Sequence, residues 1–141
     1  MLESSDNGLC YMNKLIDPSK SPLTKMKLLV PNAIIFVLDP NNSDVVIPEY
    51  KNLVSHTESC VSVGTQADVD GETEVVLSRV APAGLSCVFN GEISTPSGAI
   101  AVEISERTSL GYIAGLQSKS RACIWVDDDK WPSQVAVVLI D

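Results

Sequence analysis

Seven consecutive residues, Asp68-Val69-Asp70-Gly71-Glu72-Thr73-Glu74, place four carboxylates within reach of one another. Alternating acids followed by glycine are one ingredient of a calcium loop. A full loop also needs further oxygen ligands across twelve residues and a closing glutamate. Here the alternation breaks at Gly71 and β-type sequence flanks it, so a turn carrying solvated carboxylates is the expectation. A second run, Asp127-Asp128-Asp129, stands before Lys130-Trp131-Pro132. It is read as a solvated loop able to attract a cation or a basic protein. Trp131 is expected to cap one end of the core, with anchoring a partner as its other use.

Nucleophilic chemistry has one candidate. His56 lies beside Ser55, Thr57, Glu58, Ser59 and Cys60. A hydrolase needs nucleophile, base and orienting acid assembled in space. His56 is the sole imidazole, and no nucleophile elbow accompanies it, so a surface histidine is expected.

The charge balance narrows the function classes. Eighteen acids against ten bases give a net charge of −8. Nucleic-acid binding needs clustered Lys and Arg, so it is not expected. Between Glu58 and Glu106 eight acids (Glu58, Asp68, Asp70, Glu72, Glu74, Glu92, Glu103, Glu106) stand against Arg79 alone. Between Lys14 and Lys27 four lysines stand against Asp17. If several acids share a face, they focus a negative field that speeds association with a basic protein. Acids scattered over all faces are the alternative.

The elements that must position these residues are strands. Hydrophobic residues are 45% of the 141 but aromatics only 5%, so the apolar content is mostly Val, Ile, Leu and Ala, which suit pleated surfaces. Residues 1–22 read as an irregular arm with one helical turn near Cys10 to Leu15, and residues 23–141 as a single domain. Strands are expected at Ala33–Leu38, Asp44–Ile47, Leu85–Ser94, Ala99–Ile104, Arg121–Val126 and Gln134–Ile140, with weaker strand character at Leu23–Val30, Tyr50–Val54 and Ser109–Ala114. Asn90-Gly91 either turns the chain or bulges a strand running to Ser94, and the bulge is preferred. Thr95-Pro96-Ser97-Gly98 is then the turn from which Ala99–Ile104 returns antiparallel.

Glu58 to Val80 reads as a hairpin about Asp70-Gly71. A three-residue loop with a bulged, left-handed Gly71 sets Thr65 opposite Val75 and Val63 opposite Leu77. That register collects apolar residues on one face. Eight or nine short strands with regular turns predict an all-β fold, an antiparallel two-sheet β-sandwich.

Cys10, Cys60, Cys87 and Cys123 form no CxxC pair and only His56 could join them, so a structural zinc site is not expected. No phosphate loop or other cofactor motif is present, and no cofactor is expected. Cys60, Cys87 and Cys123 sit in apolar strands and are expected as buried free thiols. The N-terminus lacks a basic region followed by an apolar core, and Leu28–Leu38 is too short to span a bilayer. A cytoplasmic location without membrane association follows as the expectation.

The stretches VDGETEVVLS, FNGEISTPSGAIAV and IWVDDDKWPSQVAVVL together resemble a group of small, acidic, β-rich bacterial proteins. More distantly, the layout over residues 33–141 is similar to the competence protein J type of nuclease inhibitor. The resemblance implies a bacterial cytoplasmic partner-binder of the immunity or antitoxin kind. It assigns no inhibitory residue. The functional expectation is therefore a non-enzymatic module neutralising a basic partner such as a toxin nuclease. Its binding candidates are Asp68, Asp70, Glu72, Glu74, Asp127, Asp128, Asp129 and Trp131. The alternatives are a small-ligand or carbohydrate-binding sandwich, and a small enzyme using Cys60 or His56.

Overall fold

The computed structural model describes residues 24–105 and 108–140. The expected arm, its helical turn and Cys10 lie outside the described residues. So do Glu106 and Arg107.

Among the described residues ten strands are formed, more than the eight or nine expected: β1 Thr24–Leu28, β2 Ile34–Leu38, β3 Val54–His56, β4 Cys60–Gly64, β5 Thr73–Ser78, β6 Ser86–Ser94, β7 Ile100–Ile104, β8 Thr108–Ile113, β9 Lys119–Val126 and β10 Gln134–Ile140. They make two five-stranded sheets, ordered β1-β5-β10-β9-β6 and β3-β4-β2-β7-β8. Val- and Ile-rich runs pair because stiff, branched side chains fill the pleat on the inward side. Val37, Val61, Val63 and Val102 from one sheet join Val75, Leu77, Ile124 and Val137 from the other in a single buried cluster. The two sheets thus share one core. Pairing is antiparallel except between β5 and β10, which run parallel.

The expected hairpin about Asp70-Gly71 does not form. β4 pairs with β2 and β3 in one sheet, whereas β5 pairs with β1 and β10 in the other. The matching apolar face that suggested Val63 opposite Leu77 is real, but the two residues serve the core from opposite sheets. An Asp-Gly turn reverses the chain locally. Which edge each strand then finds depends on the other strands competing for it. The segment between them makes a short 3-10 turn, Asp68–Asp70. It is closed by Asp70 N donating to Ala67 O at 2.9 Å and Gly71 N to Asp68 O at 3.2 Å. Gly71 takes φ 128° and ψ −178°, a conformation essentially confined to glycine.

Thr95–Gly98 is a turn, with Gly98 N donating to Thr95 O at 2.8 Å and Gly98 at φ 75°. It too carries the chain between sheets, so β7 does not return on β6. The bulge in β6 falls between Cys87 and Phe89 rather than at Asn90-Gly91. Asp44–Ile47 forms no strand, and only Val54 of the expected Tyr50–Val54 strand is in β3. Cys60 and Cys123 are buried thiols. Cys87, expected as a third, is disulfide-bonded, a state that hydropathy does not record.

Candidate functional site

The parallel pairing of β5 and β10 decides where the acids go. Gln134 aligns with Glu74 and Val135 with Val75, so the segments leading into both strands emerge at the same end of the sheet. Residues 65–74 and 127–133 are therefore neighbours, although they lie far apart in the sequence. Two backbone bonds join them: Gln66 N donates to Pro132 O at 2.8 Å, and Glu74 N to Ser133 O at 2.8 Å. Gln66 also spans the base of its own loop, its side-chain amide donating to Glu72 O at 2.8 Å. A glutamine before an acidic turn carries no motif, so nothing in the sequence marks Gln66.

The carboxylates at this end divide by use. Asp127 serves its own loop. It accepts Ser133 N at 2.9 Å, Ser133 Oγ at 2.6 Å and Gln134 N at 3.0 Å. Partial burial opposes its charged form, but the Ser133 hydroxyl and the Gln134 and Ser133 amides prevail and hold the carboxyl below the usual 3.8. Asp128 accepts Trp131 N at 2.8 Å, tightening the turn. Glu74 lies on the strand, paired with Lys25 at 3.3 Å and mostly shielded. By contrast the carboxylates of Asp68, Asp70, Glu72 and Asp129 are exposed, with no hydrogen bond or ion pair among the described residues. Of the proposed binding residues, only Glu74 is ion-paired among the described residues, and these four keep their acceptor lone pairs open to a partner.

Trp131 does not cap the core. Its neighbour Pro132 is buried, whereas Trp131 is 64% exposed. Val69, between Asp68 and Asp70 at the tip of the 3-10 turn, is 88% exposed. Leu29, which follows β1 beside the start of β5, is 54% exposed. The end of the molecule thus combines open carboxylates with bare apolar side chains. Val69 and Leu29 carry no functional signal in the sequence: Val69 lies within the expected acidic turn and Leu29 within the Leu23–Val30 stretch.

At the opposite end, Asp39 is fully buried. It accepts Asn41 N at 2.9 Å, Ser97 N at 2.8 Å and Ser97 Oγ at 2.6 Å. Burial works against its charge, yet the Ser97 and Asn41 donors outweigh it and its pKa is lowered. This carboxylate ties the exit of β2 to the β6–β7 turn.

The nucleophile candidates are placed apart in environment. His56 is exposed on β3 with its ring tilted against Phe89, centroids 5.1 Å apart. Cys60 is fully buried. The Ser59 hydroxyl accepts Val46 N at 2.8 Å. Burial pushes the Cys123 thiol up to about 11, against the pull of Arg121, a thiol state unsuited to attack. Among the described residues no three His, Cys, Asp or Glu side chains gather as a metal site, and no helix is long and apolar enough to cross a membrane. A groove of about 270 Å³ lies on the outer face of the first sheet, with Val76 and Ala136 as floor and Pro82 and Leu85 as wall. It is smaller than the ~300–1,000 Å³ of ordinary ligand pockets. The exposed aromatics Tyr50, Tyr112 and Trp131 belong to separate elements.

No protein-family model matches the chain, and no curated protein matches its sequence. Among solved structures, the crystal structure of ComJ, inhibitor of the DNA degrading activity of NucA, from Bacillus subtilis, matches with a TM-score of 0.64. The identity is 8%, over 86% of this chain and 98% of that one. A protein described as crocagin biosynthetic gene J matches at a TM-score of 0.47 and 11% identity, over 82% of this chain and 94% of that one. The chain is distantly ComJ-like in fold.

Proposed function

We propose that this protein is a non-enzymatic inhibitor that binds a basic protein, a nuclease, and covers its active site. The two five-stranded sheets are read as a β-sandwich scaffold. The binding surface is the end carrying Asp68, Asp70, Glu72 and Asp129, with Asp127 and Asp128 shaping the loop that presents Asp129 and Trp131. The observation that supports this reading best is the convergence of two acidic loops at one end, their outward carboxylates unneutralised. A nuclease cleft is lined with cations that receive phosphates, and carboxylates on a firm loop satisfy the same cations. The fold likeness to ComJ supports it further. The field of such an end reaches about one Debye length, ~8–10 Å at moderate salt, and steers encounter.

The reading is tested by titrating the protein into DNA-degradation assays with NucA and with nucleases of basic charge, over a salt series. Near-stoichiometric inhibition is expected, weakening as salt rises and after combined Asp68→Asn, Asp70→Asn, Glu72→Gln and Asp129→Asn substitution. Tight, salt-insensitive binding to an acidic or uncharged partner would sink it.

A further inference from the structure

We infer that the partner is held by an apolar centre made of Leu29, Val69 and Trp131, with the carboxylates acting as its rim. This rests on the inhibitor reading and assigns the affinity to residues outside the acidic set. The occupant is a basic protein whose Lys- and Arg-lined cleft contains an apolar pocket.

Three observations carry it. First, Val69 occupies the tip of a turn that the chain takes trouble to fix. Gly71 holds a conformation other residues resist, and Gln66 bonds both to its own loop and to Pro132. A valine 88% exposed there contributes nothing to the core. Second, the backbone at Trp131 is fastened on both sides, by Asp128 accepting its N–H and by Pro132 buried and bonded to Gln66. The indole is therefore presented outward by a firm frame, which lowers the ordering entropy of binding. Third, the β1–β5 pairing brings Leu29 to the same end, beside the strand that leaves Glu72. Exposed aromatic and aliphatic side chains at the same end as open carboxylates have the composition of a protein interface, and Trp is enriched among its hot spots. The open carboxylates of Asp68, Asp70, Glu72 and Asp129 fix the sign of the complement as positive.

The division of labour is measurable. Rim charges govern association rate and salt dependence, whereas desolvated apolar contacts govern dissociation. A photo-crosslinking residue is placed at position 69, or at position 112 on the remote strand β8 as control, in the full-length protein expressed in cells of its source organism. The adduct partner is then purified and its binding kinetics measured against Val69→Ala, Trp131→Ala and Asp68→Asn/Asp70→Asn. The expected result is an adduct at 69 and not at 112, with a basic protein. Dissociation quickens at least ~10-fold for Val69→Ala and ~30-fold for Trp131→Ala, with the salt slope unchanged. The Asp variant instead slows association and flattens the salt slope. Circular dichroism melts confirm that each variant is folded. Unchanged dissociation in both apolar variants overturns the apolar centre while leaving the inhibitor reading intact. An adduct with an acidic or neutral protein overturns the inhibitor reading. Equal adducts at 69 and 112, or none, overturn both.

Discussion

Two acidic loops sit side by side in this protein and use the same side chain in opposite ways. In the loop between β9 and β10, Asp127 and Asp128 turn inward upon the backbone, accepting Ser133, Gln134 and Trp131. In the loop between β4 and β5, Asp68, Asp70 and Glu72 face solvent, and the turn is held by Gln66 and Gly71 instead. A carboxylate that accepts backbone donors fixes shape and keeps its charge, but its acceptor lone pairs are no longer open to a partner's donors. A carboxylate left open offers charge only if something else fixes its shape. Composition alone does not separate these roles, since both runs are acidic turns.

The contrast is broken most severely at the far end, where Asp39 repeats the inward use under full burial. Asp39→Ala leaves the Ser97 and Asn41 donors unmet and is expected to cost about 2–3 kcal/mol in urea unfolding. Next comes the outward loop's scaffold. Gly71→Ala forces a side chain into the φ 128° conformation and is expected to destabilise by about 2 kcal/mol.

Asp127→Ala is expected to lose about 1–2 kcal/mol, less than Asp39 because water replaces part of what is lost at an exposed site. Asp39 and Asp127 also set an acid limit. Their folded pKa values lie below 3.8, so near that pH the unfolded chain binds more protons. Stability is therefore fully present above pH 3.8 and falls as pH drops through the lower folded values. Asp39→Asn with Asp127→Asn should flatten that acid limb in pH-dependent melts. The smallest effect belongs to the outward set. Asp68→Asn, Asp70→Asn and Glu72→Gln together should shift stability by less than ~0.5 kcal/mol, changing only partner association. A large loss of stability there would erase the distinction between the two loops.

Much of the strand content was legible. Alternating or continuous Val and Ile runs marked β2, β5, β9 and β10 because branched side chains favour the pleat. Turns were legible too, at Asp70-Gly71, Thr95–Gly98 and Asp127–Pro132, because each carries residues suited to tight reversal. Partnership was not. The Asp-Gly turn and the Thr95–Gly98 turn both carry the chain across the core, whereas Asp127–Pro132 makes a true hairpin between β9 and β10. Nothing local distinguishes a turn that pairs its flanks from one that parts them. Within the candidate site, the acids and Trp131 were named in advance. Gln66, Val69 and Leu29 were not, because their roles arise from neighbours distant in the chain.

By itself, then, the sequence determined an all-β chain, its net negative charge, the acidic turns and the lack of any familiar catalytic motif. These follow from residue type and near-neighbour spacing. The tertiary structure decided that β4 and β5 enter different sheets, that β5 and β10 run parallel, and that two acidic loops consequently meet. It also decided which carboxylates bind the backbone and which remain open. The physical reason is that strand pairing is a competition among all available edges around one core, and its outcome depends on the whole chain at once.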